Sequence, residues 1–189
     1  MKKTVLTFGL ISGAIMAAMM YATLPFLDKI GFDRGEIVGY TTMVLAFMLV
    51  FFGIRSYREN VNEGQITFGR AFAVGILITA VACVCYVIAW EILYFNFMPD
   101  FGDKYASYII EKLRTSGATQ QAIDAKVAEM KSFKAMYDNP FINAAITFLE
   151  PLPVGLIVTL ISSLILRKNK IGATNSDGRR APLRVQEEK

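Results

Sequence analysis

Between Phe141 and Leu166 the chain carries a single charged side chain, Glu150, and that carboxylate is followed at once by Pro151-Leu152-Pro153. At about 1.5 Å of rise per residue, a helix over this stretch covers roughly 39 Å, more than the ~30 Å hydrocarbon core of a bilayer. The run therefore reads as a membrane span with an acid inside it. Pro151 and Pro153 have no N–H to give to the carbonyls of Thr147 and Leu149, and a residue that precedes proline is biased away from helical dihedrals. The span is expected to kink or break beside its charge, with Glu150 itself leaving the helical region.

Three further apolar runs, two of them uncharged and one with Glu91 as its single charge, are long enough to cross a bilayer, so the spans fall at about residues 4–27, 37–54, 71–97 and 141–166. With 54% hydrophobic and 19% charged residues, the chain is too apolar for an ordinary soluble domain. Its net charge of +4 does not point to nucleic acid, because the basic residues gather in two loops and a tail beside the apolar runs, where they set membrane topology. There is no histidine, and Cys83 and Cys85 lie two apart on a helix, where they point to different sides and cannot bridge each other. Metal sites and catalytic triads have almost no raw material here.

In the first span Gly9, Gly13 and Ala17 recur every four residues, beside Ala14, Ala18 and Ala22, a stripe that lets another helix approach closely in lipid. The run lacks a cleavage signal of small residues at its end and is expected to be retained. Asp28 to Glu36 reads as a polar loop broken at Gly31 and Gly35. Arg55 to Arg70 forms the next loop. The third span carries Ala71, Gly75, Thr79 and Cys83 along one face, and Trp90, Tyr94, Phe95 and Phe97 at its end mark a membrane–water boundary, placing Glu91 near that interface.

From about 101 to 138 the composition turns polar, with Tyr105, Ile109 and Leu113 on one helical face, a break at Ser116-Gly117, and Thr119 in position to cap a second helix. That second helix repeats Ile123, Val127, Met130, Phe133 and Tyr137 at three- and four-residue steps. Its partner helix and it form an amphipathic helical hairpin whose basic and acidic residues balance, which is unlike a helix that binds anionic lipid. The fold class expected is an all-α membrane protein, four transmembrane helices with this hairpin between helices three and four. Residues 1–170 make one membrane domain, and 171–189 are expected to be a disordered cytoplasmic tail. Lys2 and Lys3 at the start, Arg55, Arg58 and Arg70 in the second loop, and Arg167, Lys168 and Lys170 after the last span put both termini in the cytoplasm and the hairpin outside.

Three segments carry a family resemblance: Ile66-Thr67-Phe68-Gly69-Arg70-Ala71-Phe72 at the start of span three, Glu129 to Pro140 with its Tyr137-Asp138-Asn139-Pro140, and Thr147-Phe148-Leu149-Glu150-Pro151-Leu152-Pro153-Val154-Gly155. They resemble the bacterial membrane proteins grouped as domain of unknown function 4199, over about residues 4–168. The resemblance implies a small four-span protein of the bacterial inner membrane with a polar insertion before the last span. That family has no assigned activity, so it brings no functional residues with it.

A carboxylate within a span is costly and faces a protein interior, a water-filled cavity or a partner. Glu150 and Glu91 both fall in the outer half of the bilayer, where antiparallel spans could bring them into one cavity, and freed carbonyls beside Pro151 and Pro153 could add oxygens for a cation. The opposing reading is that Glu150 is hydrogen-bonded at a kink, to Asn143, Thr147 or a tyrosine. Two functions are expected on this basis. The first is a non-enzymatic structural or regulatory membrane protein, partnered by the lipid bilayer and by a second copy or another membrane protein. The alternative is an oligomeric transporter or channel subunit that uses the two intramembrane carboxylates. No cofactor is expected, and an enzyme is disfavoured because no nucleophile–base pair or phosphate-cradling loop is visible.

Overall fold

The computed structural model describes residues 1–168, and the expected tail at 171–189 lies outside the described residues. α1 (Lys2–Thr23) passes through a 3-10 turn at Leu24–Phe26 into the short α2 (Leu27–Ile30), and α3 (Phe32–Val61), α4 (Phe68–Asn96), α5 (Phe101–Thr115), α6 (Gln120–Tyr137), α7 (Pro140–Leu149) and α8 (Leu152–Leu166) follow. Four stretches, Lys2–Ile30, Phe32–Val61, Phe68–Asn96 and Pro140–Leu166, are long and apolar enough to cross a membrane. The fold is all-helical, with α5 and α6 forming the hairpin between the third and fourth spans.

Several local expectations are corrected. The loops read at 28–36 and 55–70 are mostly helix, because only Gly31 separates α2 from α3, and α3 runs on to Val61 before α4 starts at Phe68. Gly35 does not break a helix: Gly31, at φ 82°, absorbs the whole reversal between α2 and α3, a left-handed conformation that glycine adopts without a Cβ penalty. Gly35 sits inside α3, where an added Cβ would lie 2.6 Å from Leu27 Cδ1. Glu150 also keeps helical dihedrals, φ −64° and ψ −56°. The span is nonetheless interrupted, α7 ending at Leu149 and α8 starting at Leu152, as two missing proline donors require. Both halves pack against α4, and that support holds Glu150 in a region its proline neighbour disfavours but does not forbid.

Lipid supplies no hydrophobic drive between spans, so close van der Waals fit and buried hydrogen bonds must do the work. α1 and α8 each pack against both α3 and α4. On α1, a Cβ at Gly9 would lie 2.7 Å from Val81 Cβ, and one at Gly13 would meet Cys85. Gly9 and Gly13 of the first span's stripe are therefore taken up by α4 of the same chain, while Ala14, Ala18 and Ala22 beside them stay exposed. The small face of α4 is consumed likewise, with Ala71, Thr79 and Cys83 fully buried and Gly75 against Thr159 and Ile54. Ser12 Oγ donates to Ala46 O at 2.9 Å, and Thr79 and Thr159 share a hydroxyl bond at 3.2 Å, so α1–α3 and α4–α8 are each tied within the apolar layer. Phe47, Val50, Ile54, Val74 and Ile78 fill the space between. At the terminal end, Ile66 and Lys168 exchange backbone hydrogen bonds of 3.1 and 2.9 Å, and Arg58 Nη1 donates to Leu166 O at 3.2 Å, which ties the end of α8 to the α3–α4 connection.

Candidate functional site

The two ends of the bundle differ. At the terminal end α8 lies on both α3 and α4, whereas α7 lies on α4 and α6 and makes little or no contact with α3. The first half of α3 and α7 are thus separated, and the hairpin lies across the gap.

Thr119 caps α6 by accepting from Ala122 N at 3.3 Å, as its spacing predicts, and Gly117 at φ 79° makes the turn that lets α5 and α6 fold together. α5 is anchored at the α2–α3 corner. Its Phe101, Tyr105 and Tyr108 rings surround Phe32, with centroids 5.9, 5.5 and 4.9 Å away. Lys112 Nζ lies 2.7 Å from Asp33 Oδ1 and Lys104 Nζ 3.3 Å from Asp28 Oδ2. Bonds from Lys112 to the Asp33 carboxylate and to Tyr108 hold its ammonium above the ordinary lysine range, although the group is exposed and the pair adds little stability. α6 is anchored on the far side, where Tyr94 donates to Asp138 Oδ1 at 2.7 Å and Tyr137 shares a hydroxyl bond with Thr147 at 3.2 Å. The Tyr94 bond, with Lys134 beside it, keeps the Asp138 carboxyl below the usual carboxylate range.

Beneath this roof is a cavity of about 490 Å³. Met16, Met20 and Met43 give it a soft apolar wall, Tyr40 and Trp90 add aromatic faces, and Glu150 lies in the wall on the α7–α8 side. Glu150 Oε2 accepts from Tyr86 OH at 3.2 Å. Glu150 is exposed, and it lines this cavity.

Of the residues singled out from the sequence, Glu150 is in the cavity wall, Pro151 is fully buried just behind it, and Pro153 is exposed. Glu91 is not in the wall: it follows Trp90 on α4, with Oε1 buried and no hydrogen-bond partner among the described residues. The other carboxylates in the cavity wall are Asp33 and Glu36 of α3, of which Asp33 is paired with Lys112. Asn143 and Thr147 are bonded to each other at 3.2 Å, so the tyrosine among the three partners considered for Glu150 is the one it has. Sequence reading gave no role to Glu36, Tyr40 or Tyr86. A polar hydroxyl at position 86, in the middle of the most apolar span, was the available signal for the last of these.

A family model described as "Protein of unknown function (DUF4199)" matches residues 7–168. No curated protein and no solved structure matches the chain.

Proposed function

We propose, for a chain that belongs to the DUF4199 family by a match over nearly all of its described length, that the task of the protein is to bind a small amphiphilic molecule under the hairpin. The observation that carries this reading is the cavity of about 490 Å³, roofed by α5 and α6, mostly apolar and holding one bonded carboxylate–phenol pair. Ligand sites of roughly 300–1,000 Å³ have this make-up, apolar walls with a few placed polar groups. The separation of α7 from α3 favours a ligand that arrives from the lipid phase, since Tyr40 and Ile146, one on each side of that gap, both line the cavity.

Binding is a better reading than conduction through one copy. Past Glu150 the bundle is filled, Gly155 seating against Thr79 and Phe47, so the cavity ends in packed side chains. Self-association through Gly9 and Gly13 or through the small face of α4 loses its support, because those residues are occupied by the chain's own helices, whereas Ala14, Ala18 and Ala22 of α1 stay exposed. The test is photolabelling of purified protein with an alkyl-diazirine probe. Saturable labelling of peptides carrying Met16, Met43 and Tyr86, competed by unlabelled probe, is expected; labelling confined to outward residues such as Leu45 and Ile165, without saturation, would overturn the reading.

The membrane in the same proposal is the bacterial inner membrane, with both termini cytoplasmic and the hairpin outside. The basic flanks Lys2, Lys3, Arg55, Arg58 and Arg70 support it. Ser116 at the hairpin tip is exposed, and Ser116→Cys in intact cells is expected to react with a membrane-impermeant maleimide. Reaction only after the membrane is opened would reverse the orientation.

A further inference from the structure

From the charges left over in the cavity wall we infer that the ligand is an organic cation, a positively charged centre carried on an apolar body. The inference rests on the binding reading above and names the chemistry of its ligand. Five formally charged side chains line the cavity: Asp33, Glu36, Lys112, Lys134 and Glu150. Both lysines are committed, Lys112 to Asp33 at 2.7 Å and Lys134 to Asp138 at 3.0 Å. Glu36 and Glu150 have no cationic partner within ion-pair distance among the described residues. The uncompensated groups are therefore both acidic. A hydrogen bond from Tyr86 to one oxygen of Glu150 leaves that carboxylate with most of its accepting capacity unused.

The rest of the wall decides what kind of cation fits. A small metal ion asks for about six oxygen ligands or a compact set of nitrogen and sulfur donors. The described residues hold no group of three or more histidine, cysteine or acidic side chains placed to supply one. The wall that Glu36 and Glu150 share is instead polarisable and aromatic, with methionines at 16, 20 and 43 and with Tyr40, Tyr86 and Trp90. Aromatic faces attract a diffuse positive charge, and methionine adapts to irregular apolar shapes. An organic anion of the same shape would bring a third negative charge to Glu36 and Glu150.

The chain has one tryptophan, and it is in this wall, so its fluorescence reports the cavity alone. Protein in non-ionic detergent is titrated with three probes of one shape, tetraphenylphosphonium, neutral triphenylphosphine oxide and tetraphenylborate. Saturable quenching of Trp90 by the phosphonium at the lowest concentration is expected, with little or no saturable response to the borate. Glu150→Gln should weaken the phosphonium by roughly tenfold and leave the oxide unchanged. Tyr86→Phe, which keeps the acid and the ring, should retain the preference for the cation. Should Glu150→Gln fail to fold, Glu36→Gln near the start of α3 reads the same charge and should weaken the phosphonium several-fold. Equal saturable binding of all three probes, indifferent to both glutamine variants, would overturn the cation and leave the amphiphile site standing. No saturable response to any probe would overturn both.

Discussion

Gly155→Leu is expected to lose most of the folded protein at moderate temperature. At Gly155, on α8, an added Cβ would meet Thr79 and come within 3.0 Å of the Phe47 ring, and its carbonyl accepts from Thr79 Oγ1 at 3.5 Å. None of these neighbours has room to retreat. Phe47 is fully buried, and Thr79 is held by its bond to Thr159. Overpacking a filled core costs typically 1–3 kcal/mol. Here the added side chain recovers nothing by burial, because lipid is as apolar as the protein interior. A loss of about 3 kcal/mol lowers Tm by roughly 6–12 °C in a chain of this size. Thermal unfolding in detergent measures it, with Gly69→Leu as the control, since a Cβ at Gly69 meets nothing within 4 Å. Equal midpoints for the two variants would mean that α8 does not sit against α4 as described.

The number of spans and the hairpin were legible because both are local properties. A long uncharged run is too costly to leave in water, and the steps from Ile123 to Tyr137 have helical period whatever lies opposite. The cap at Thr119 and the break beside Pro151 were legible for the same reason, each resting on a residue's own donors and acceptors. What stayed hidden is which helix faces which. The bond from Tyr86 to Glu150 joins residues 64 apart, and nothing in either neighbourhood names the other. Hydropathy placed Glu91 and Glu150 at similar depth, but depth leaves rotation about each helix axis free, and the acids in the cavity wall with Glu150 are Asp33 and Glu36. The small-residue faces of α1 and α4 were read correctly as surfaces of close approach. That Gly9, Gly13 and Gly75 meet segments of the same chain required the packed bundle to see.

Gly39→Phe is expected to do the reverse of the Gly155 substitution, abolishing ligand binding while leaving the fold intact. Gly39 lies in α3 between Val38 and Tyr40, all three in the cavity wall, and a Cβ there would find no atom within 4 Å. The open space beside Gly39 is the space assigned to the ligand, so a phenyl ring entering it competes with the ligand and not with the bundle. Replacing a mid-helix glycine removes a helix-propensity penalty of up to about 1 kcal/mol, so Tm should hold or rise slightly. Saturable quenching of Trp90 should fall by tenfold or more for every probe that binds, charged or neutral, which separates loss of volume from the charge-selective loss at Glu150. A variant that stays folded and still binds with unchanged affinity would place the ligand elsewhere on the protein. A variant that unfolds would mean that the first half of α3 and α7 are packed together and the cavity between them does not exist.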